Sequence, residues 1–275
     1  MNIHKSRVKF IVFQKIIWGC PMNIYHMSYT PYFLGERMVK LSFSRCNFRC
    51  IGCIRRKREG DIYADNVEYM EWNLENIIKK IREIKPKRIY LGGYEPTLDP
   101  DLVEIVNKLS KLDAHIILLT NGSLLRRDYI HELLEAGLRE IIVSVKAFDP
   151  KKHLYYTGRS NRPVLNAIKE LCKVEDPYFR FQVETLLIPE INDAEDIERL
   201  AMFISEIDRS VKLFIEPWIP VVNDFREPSK EELIEAVARA MRHLYIVSYH
   251  PLYSEILEMR KSRRKATFID VLPKG

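Results

Sequence analysis

From residue 39 onward, short runs of apolar and β-branched residues alternate with longer stretches whose apolar positions recur at helical spacing. The runs are Val39–Ser44, Arg88–Leu91, His115–Thr120, Ile141–Val145, Phe179–Leu187 and Val211–Glu216. The second to fourth are continuously apolar, as in parallel strands covered by helices on both faces. Between them, Asp99-Pro100 supplies a cap and a first-turn proline for a helix carrying Leu102, Ile105, Val106 and Leu109. Asp193 opens a helix with the stripe Ile197, Leu200, Ala201 and Ile204, and Ser229 with Glu232 forms a capping box before Leu233–Met241. Further helices fit Asn73–Ile84, Arg127–Ala136 and Val164–Val174. The series predicts an α/β fold, a partial (β/α)6 TIM-like barrel with parallel strands, because right-handed crossovers lay each helix over the sheet. Six units are too few for eight-fold closure, and function is expected where strands end. The core spans 39–225, with an N-terminal extension over 1–38 and a C-terminal helical extension over 226–275.

The chain carries 44 Lys plus Arg, 38 Asp plus Glu and only two glutamines, Gln14 and Gln182. That bias resembles a thermophile's surface. The excess positive charge gathers in Arg55–Arg58 and in Arg260–Lys265. The second run reads as solvated surface, whereas the first, directly after a cysteine cluster, could meet an acidic partner, a phosphate or a nucleic acid. The apolar run Val8–Trp18 is interrupted by Lys9, Gln14 and Lys15. It is too short to span a bilayer and no cleavage pattern follows it, so a cytoplasmic protein is expected, with no membrane partner.

Three of five cysteines fall within eight positions, in Cys46-Asn-Phe-Arg-Cys50-Ile-Gly-Cys53. Such crowding points to metal ligation or redox chemistry, not to a secreted disulfide framework. Three thiolates from one strand-end loop can hold three corners of a four-iron cluster, leaving one iron open to a small molecule. Zinc is the alternative, completed by Cys20 or His26, although no second closely spaced ligand pair lies downstream.

The three-and-two cysteine spacing at the end of the first strand resembles the signature of the radical S-adenosylmethionine (radical SAM) superfamily. The resemblance implies that Cys46, Cys50 and Cys53 bind a [4Fe–4S] cluster whose fourth iron is chelated by SAM. Reductive cleavage of SAM would then give a 5′-deoxyadenosyl radical that abstracts hydrogen from a substrate. Leu91-Gly92-Gly93-Tyr94-Glu95-Pro96 is similar to the family's Gly-Gly-Glu-Pro element, which implies that Gly92, Gly93 and Glu95 hold the SAM amino group. Thr120-Asn121-Gly122, Ser144-Val145-Lys146-Ala147 and Leu187-Ile188-Pro189 through Asn192-Asp193 fall at the ends of the next three strands. The resemblance places SAM contacts at Asn121, Ser144 and Lys146, and adenine near the last segment. It covers roughly residues 39–220 and implies oxygen sensitivity, an anaerobic host, and a low-potential donor such as ferredoxin or flavodoxin.

Two positions depart from the family pattern. Gly52 stands where an aromatic residue usually helps seat adenine, so a ring contact is lost, and Tyr94 is inserted before Glu95. The stretch Val143–Gly158, ending in Thr-Gly, and Val183–Pro189 followed by Ile-Asn-Asp look most like the glycyl-radical-enzyme activating branch. That branch implies a protein substrate. Modification of a nucleic acid or small metabolite, with Arg55–Arg58 gripping phosphate, is the alternative; a non-catalytic metal-binding module is a third reading. Other residues near strand ends have ordinary readings. His153, Tyr155 and Tyr156 read as substrate-facing or, more simply, as surface aromatics on a helix, Glu216 and Trp218 as substrate-facing or as a buried pair and core indole, and His243 and His250 as structural.

Overall fold

The computed structural model describes residues 23–33, 36–54, 64–255, 258 and 268–273. Cys20 and both basic runs, Arg55–Arg58 and Arg260–Lys265, lie outside them. The described strands form one sheet: β1 (Ile24–Phe33), β2 (Glu36–Phe43), β3 (Ala64–Met70), β4 (Arg88–Gly93), β5 (His115–Thr120), β6 (Glu140–Val145), β7 (Arg180–Leu187), β8 (Lys212–Pro217), β9 (Val247–Tyr249) and β10 (Phe268–Pro273), in the order β3-β10-β1-β2-β4-β5-β6-β7-β8-β9. From β2 to β9 every pairing is parallel. The helices are α1 (Leu74–Ile84), α2 (Leu102–Ser110), α3 (Arg127–Glu135), α4 (Pro150–Thr157), α5 (Arg162–Leu171), α6 (Ala194–Ser205) and α7 (Lys230–Ala240). The architecture is the expected α/β one, a mostly parallel sheet flanked by helices in the manner of a partial TIM-like barrel.

Local chemistry explains where the elements begin. Asn73 caps α1 by accepting from Asn76 N, Asp193 caps α6 through Glu195 N and Asp196 N, and Ser229 and Glu232 close a complete capping box on α7. Asp99 behaves differently from the expectation. The helix begins at Leu102, and Asp99 instead accepts from the backbone N–H groups of Asp101 and Asn23, each at 2.9 Å. It ties the strand-end loop to the entry of β1.

The two extensions are built into the sheet. β1 pairs antiparallel with β2 in the register Met27↔Leu41 and Tyr29↔Val39. β10 inserts between β1 and β3, antiparallel to the first and parallel to the second. The 226–275 stretch thus carries α7 and two strands, where helix alone was expected. β1 reads in sequence as His-Met-Ser-Tyr-Thr, an alternation without a continuous apolar run, which is why its strand signal was weak. Alternation also divides the parallel strands between two faces. Val39, Leu41, Leu91, Leu118, Val143, Val183 and Leu213 join the helices in one core. Lys40, Ser42, Gly92, Ser144, Glu184 and Glu216 belong to the opposite, inner face. The described helices therefore cover one face of the parallel strands.

Candidate active site

The cysteine loop follows β2 and is clamped from two sides. The first clamp is the carboxyl end of α4. Pro150 at the first helical position and Asp149, which accepts from Lys151 N and Lys152 N, start this helix; Gly158, at φ 70°, ends it. The final turn of a helix leaves carbonyls without intrahelical partners. Here loop N–H groups satisfy two of them: Arg49 N donates to Thr157 O at 2.8 Å and Ile51 N to Tyr156 O at 3.0 Å. His153 and Tyr156, expected at the surface, are buried against the loop, and only Tyr155 is exposed. His153 meets Phe48 edge to face at 5.6 Å between ring centroids. Its Nδ1 donates to Arg159 O at 2.9 Å, since a carbonyl can only accept. Burial lowers its pKa and keeps the imidazole neutral.

The second clamp is Trp218, just past β8. A Cβ built on Gly52 would fall 1.8 Å from Trp218 Cη2 and 2.6 Å from Cζ2. The indole therefore lies directly across the Gly52 backbone, in a cluster with Tyr156 and Phe225 at ring separations of 6.3 and 5.8 Å. An aromatic ring thus lies beside residue 52 although residue 52 itself carries none. Without a Cβ, residue 52 makes room for it.

Cys46, Cys50 and Cys53 are half-buried and form no disulfide. Burial pushes the Cys50 thiol up to about 11; the Lys146 ammonium pulls it down, and Cys53 and Cys46 add to the rise. The three thiols and Lys146 thus share one electrostatic neighbourhood. Among the described residues, no group of three His, Cys, Asp or Glu is arranged to hold a single metal ion. A cuboidal cluster takes each cysteine on a different iron, and three cysteines on one strand-end loop, none of them in a disulfide, fit that demand.

Next to the loop, β4 ends in Gly92-Gly93, and the two glycines have different tasks. Gly93 sits at φ +93°, with Phe43 N 2.8 Å and Ser42 Cα 2.9 Å from any added Cβ. At Gly92 a Cβ would meet only Leu119 and Lys40 at 3.6–3.9 Å, on the inner face. Gly93→Ala is therefore expected to lose about 2 kcal/mol of stability, from backbone strain. Gly92→Ala is expected to melt within a few degrees of the parent, at a cost of about 0.5 kcal/mol either way. Thermal melts of the two variants distinguish a backbone requirement from room left for a ligand.

Glu95 was expected to meet an amino group, yet its carboxylate is fully buried among protein donors. Oε1 accepts from Thr120 Oγ1 at 2.6 Å and from Thr97 N and Oγ1; Oε2 accepts from Asn121 N at 2.6 Å. Burial raises its pKa, and these donors act against the rise. It organises the loops. Asn121 in turn reaches Asn47 on the cysteine loop, donating from Nδ2 to Asn47 Oδ1 at 2.8 Å, and Asn47 Nδ2 donates to Ser123 Oγ at 2.8 Å. Carboxylate, Thr-Asn-Gly turn and cysteine loop are one connected unit.

On the inner face, Lys146 Nζ donates to Ser144 Oγ and Ser144 Oγ to Glu184 Oε1, both at 2.6 Å. Burial pushes the Glu184 carboxyl up, Lys146 opposing and Glu216 adding. Glu216 pairs with His250 Nδ1 at 3.3 Å. Lys40 and Glu184 are functional candidates that sequence reasoning passed over; the signal was a charged residue within a β-branched run, at inner-face parity. Four buried polar atoms at this end of the sheet find no hydrogen-bond partner among the described residues: Ser42 Oγ, His153 Nε2, Asn192 Oδ1 and Trp218 Nε1. Buried polar groups are almost always satisfied, so orphans at the end of the sheet that carries the cysteine loop suit a polar ligand.

A family model described as the radical SAM superfamily matches residues 41–204. A protein of Methanocaldococcus jannaschii, provisionally named a glycyl-radical enzyme activating enzyme, is 30% identical over 240 residues, 84% of this chain and 86% of that protein. GTP 3′,8-cyclase of Aquifex aeolicus is 27% identical over 192 residues, 69% of this chain and 59% of the cyclase. Among solved structures, a radical SAM methyltransferase from Sphaerobacter thermophilus superposes with a TM-score of 0.56 at 16% identity, over 81% of this chain and 68% of that one. That last likeness is one of fold.

Proposed function

This chain belongs to the radical SAM superfamily of SAM-cleaving enzymes, and from that premise we propose that it is a single-cluster enzyme abstracting hydrogen in the manner of a glycyl-radical activase. Cys46, Cys50 and Cys53 would hold the [4Fe–4S] cluster. When bound, the cluster would supply the electron for reductive cleavage of SAM, the chemistry from which hydrogen abstraction starts. The rest is the protein's work. The α4 carbonyls and Trp218 hold the cysteine loop, Gly92 leaves room on the inner face, and Asn121, Ser144 and Lys146 offer polar contacts to SAM. Glu95 acts by positioning Asn121. Lys146, the cation beside the thiols, is placed to balance a carboxylate.

The observation that carries this reading is the convergence of the cysteine loop, the Gly-Gly strand end and the Lys146–Ser144–Glu184 chain at one end of the sheet. The likeness to the Methanocaldococcus jannaschii protein across nearly its whole length supports the activase branch. Similarity to GTP cyclases favours a second reading, a small anionic metabolite as substrate.

The test is anaerobic. Iron-reconstituted protein with SAM and dithionite is expected to form 5′-deoxyadenosine, and replacing Cys46, Cys50 and Cys53 with Ala is expected to abolish it. Absence of the nucleoside in protein that carries zinc and no iron would sink the proposal. A glycine-centred EPR signal on an added glycyl radical enzyme supports the activase reading; consumption of GTP supports the second.

A further inference from the structure

The inner face continues beyond Ser144 across β7, β8 and β9. Ser144, Glu184, Phe214 and Ser248 lie in one register row over four strands. Glu216 stands two positions further along β8, and His250 two beyond Ser248. His250 N donates to Ile215 O at 3.2 Å, so the pairing of β8 with β9 carries on to this residue. Because β2 to β9 run parallel, Glu216 and His250 stand at the same end of the sheet as the cysteine loop.

The imidazole is fixed by two neighbours. Its Nδ1 lies 3.3 Å from Glu216 Oε2, and its ring meets Phe214 at 4.9 Å between centroids, edge to face. In its neutral form it donates from Nδ1 to Glu216 and keeps Nε2 as an acceptor. The bond to Glu216 raises the His250 pKa, burial opposes the rise, and Glu184 adds to it. Burial raises the Glu184 pKa; Lys146 opposes, Glu216 adds, and Lys40 of β2 opposes. The charge on β2 thus reaches β7, and the two strands face a shared interior. Lys212, the remaining inner-face cation of β8, is engaged over the Phe214 ring at 5.6 Å. Two buried hydroxyls of this interior find no partner among the described residues: Ser248 Oγ, beside Phe214, and Ser42 Oγ, in a residue with no exposed surface.

We infer that the β7–β9 wall recognises a cationic nitrogen, an ammonium or guanidinium group, as the part of the substrate that fixes it in the interior. The inference rests on the enzymatic reading given above and narrows its substrate class. Ammonium and guanidinium groups carry donors alone, and two carboxylates, a hydroxyl and an imidazole nitrogen supply the matching acceptors. A phosphate or carboxylate carries acceptors alone and meets like charge from Glu184 and Glu216. A neutral hydroxylated group brings no counter-charge to carboxylates drawn out of water. Either a Lys or Arg side chain of a protein substrate or a free small amine brings the required chemistry.

Binding is measured by calorimetry on the full chain as purified, without added iron, SAM or reductant. The probes are agmatine, a capped Gly-Arg-Gly peptide, its Gly-Glu-Gly counterpart and GTP. The parent is expected to bind the cationic probes in preference to the anionic ones. Glu184→Gln and Glu216→Gln, checked as folded by thermal melts, are expected to bind the cationic probes about tenfold more weakly. Tighter binding of the arginine peptide than of agmatine identifies a protein source, and the reverse a small amine; each upholds the site. A second readout is the His250 imidazole, assigned by NMR as the signal lost in His250→Gln. A bound cation is expected to move its titration to lower pH in the parent and to leave it unmoved in Glu216→Gln. Cationic probes that bind parent and both Gln variants alike, or fail to bind the parent at millimolar concentration, overturn the inference. So does GTP that displaces agmatine and binds the parent more tightly than either cationic probe. Cation binding in a protein that forms no 5′-deoxyadenosine under the conditions above sinks the radical reading and leaves the site standing; the nucleoside without cation binding sinks the site alone.

Discussion

Gly52→Ala is expected to lose about 3 kcal/mol or more of stability, an unusually large effect for the addition of one methyl group. The cause is the 1.8 Å approach of the new Cβ to Trp218 Cη2. Neither partner has a cheap way out. Trp218 is held by Tyr156 and Phe225, and the loop is fastened to α4 by the Arg49 and Ile51 N–H groups. Gly52 shows no left-handed φ, so the cost is steric and belongs to the pair. Trp218→Leu alone is expected to cost about 2–3 kcal/mol through the void it leaves. In that background Gly52→Ala is expected to cost less than about 0.5 kcal/mol, a coupling energy of the size found between residues in direct contact. Urea unfolding of the four proteins checks this, and simple addition of the two single effects would refute the clamp.

Glu95→Gln carries the second large expectation, a loss of about 3 kcal/mol. The carboxylate is surrounded only by donors: the N–H groups of Thr97 and Asn121 and the hydroxyls of Thr97 and Thr120. An amide must turn its NH2 toward one side of that ring, facing donor with donor and leaving N–H groups unpaired in the interior. The disturbance is expected to travel. Asn121 would lose the contact that fixes its backbone, and with it the bond to Asn47 on the cysteine loop. Iron content after reconstitution should therefore fall together with the urea midpoint. A variant that unfolds early yet loads iron fully would show that Glu95 serves stability alone.

Much of this was legible in the residues because the signals were local. The six β-branched runs became β2 and β4–β8 since each alternates with an amphipathic helix, and the Ser229–Glu232 box and the Asp193 cap carry their own chemistry. The antiparallel β1 and the inserted β10 were not legible. Their pairing joins residues more than two hundred positions apart, and neither has an apolar run long enough to announce a buried strand. At the site, cysteines and glycines declared themselves by spacing. Relations that exist only in three dimensions did not, namely Trp218 over Gly52, the α4 carbonyls under the loop, and the inward turn of Glu95. Tyr156 and His153 looked exposed because α4 is short and mostly polar; what buries them is a loop a hundred residues earlier.

The place of β10 between β1 and β3 has a consequence for how the chain is made. Among the described residues, the outer edge of β1 finds its partner in β10, and β3 joins the sheet through the same strand. Both wait for residues 268–273. At typical rates of synthesis that interval is on the order of ten to fifty seconds. Throughout it the nascent chain presents an open strand edge rich in Tyr and Met, the kind of template that recruits stray strands. Shielding of that edge while the chain emerges therefore bears on how much protein reaches the finished sheet.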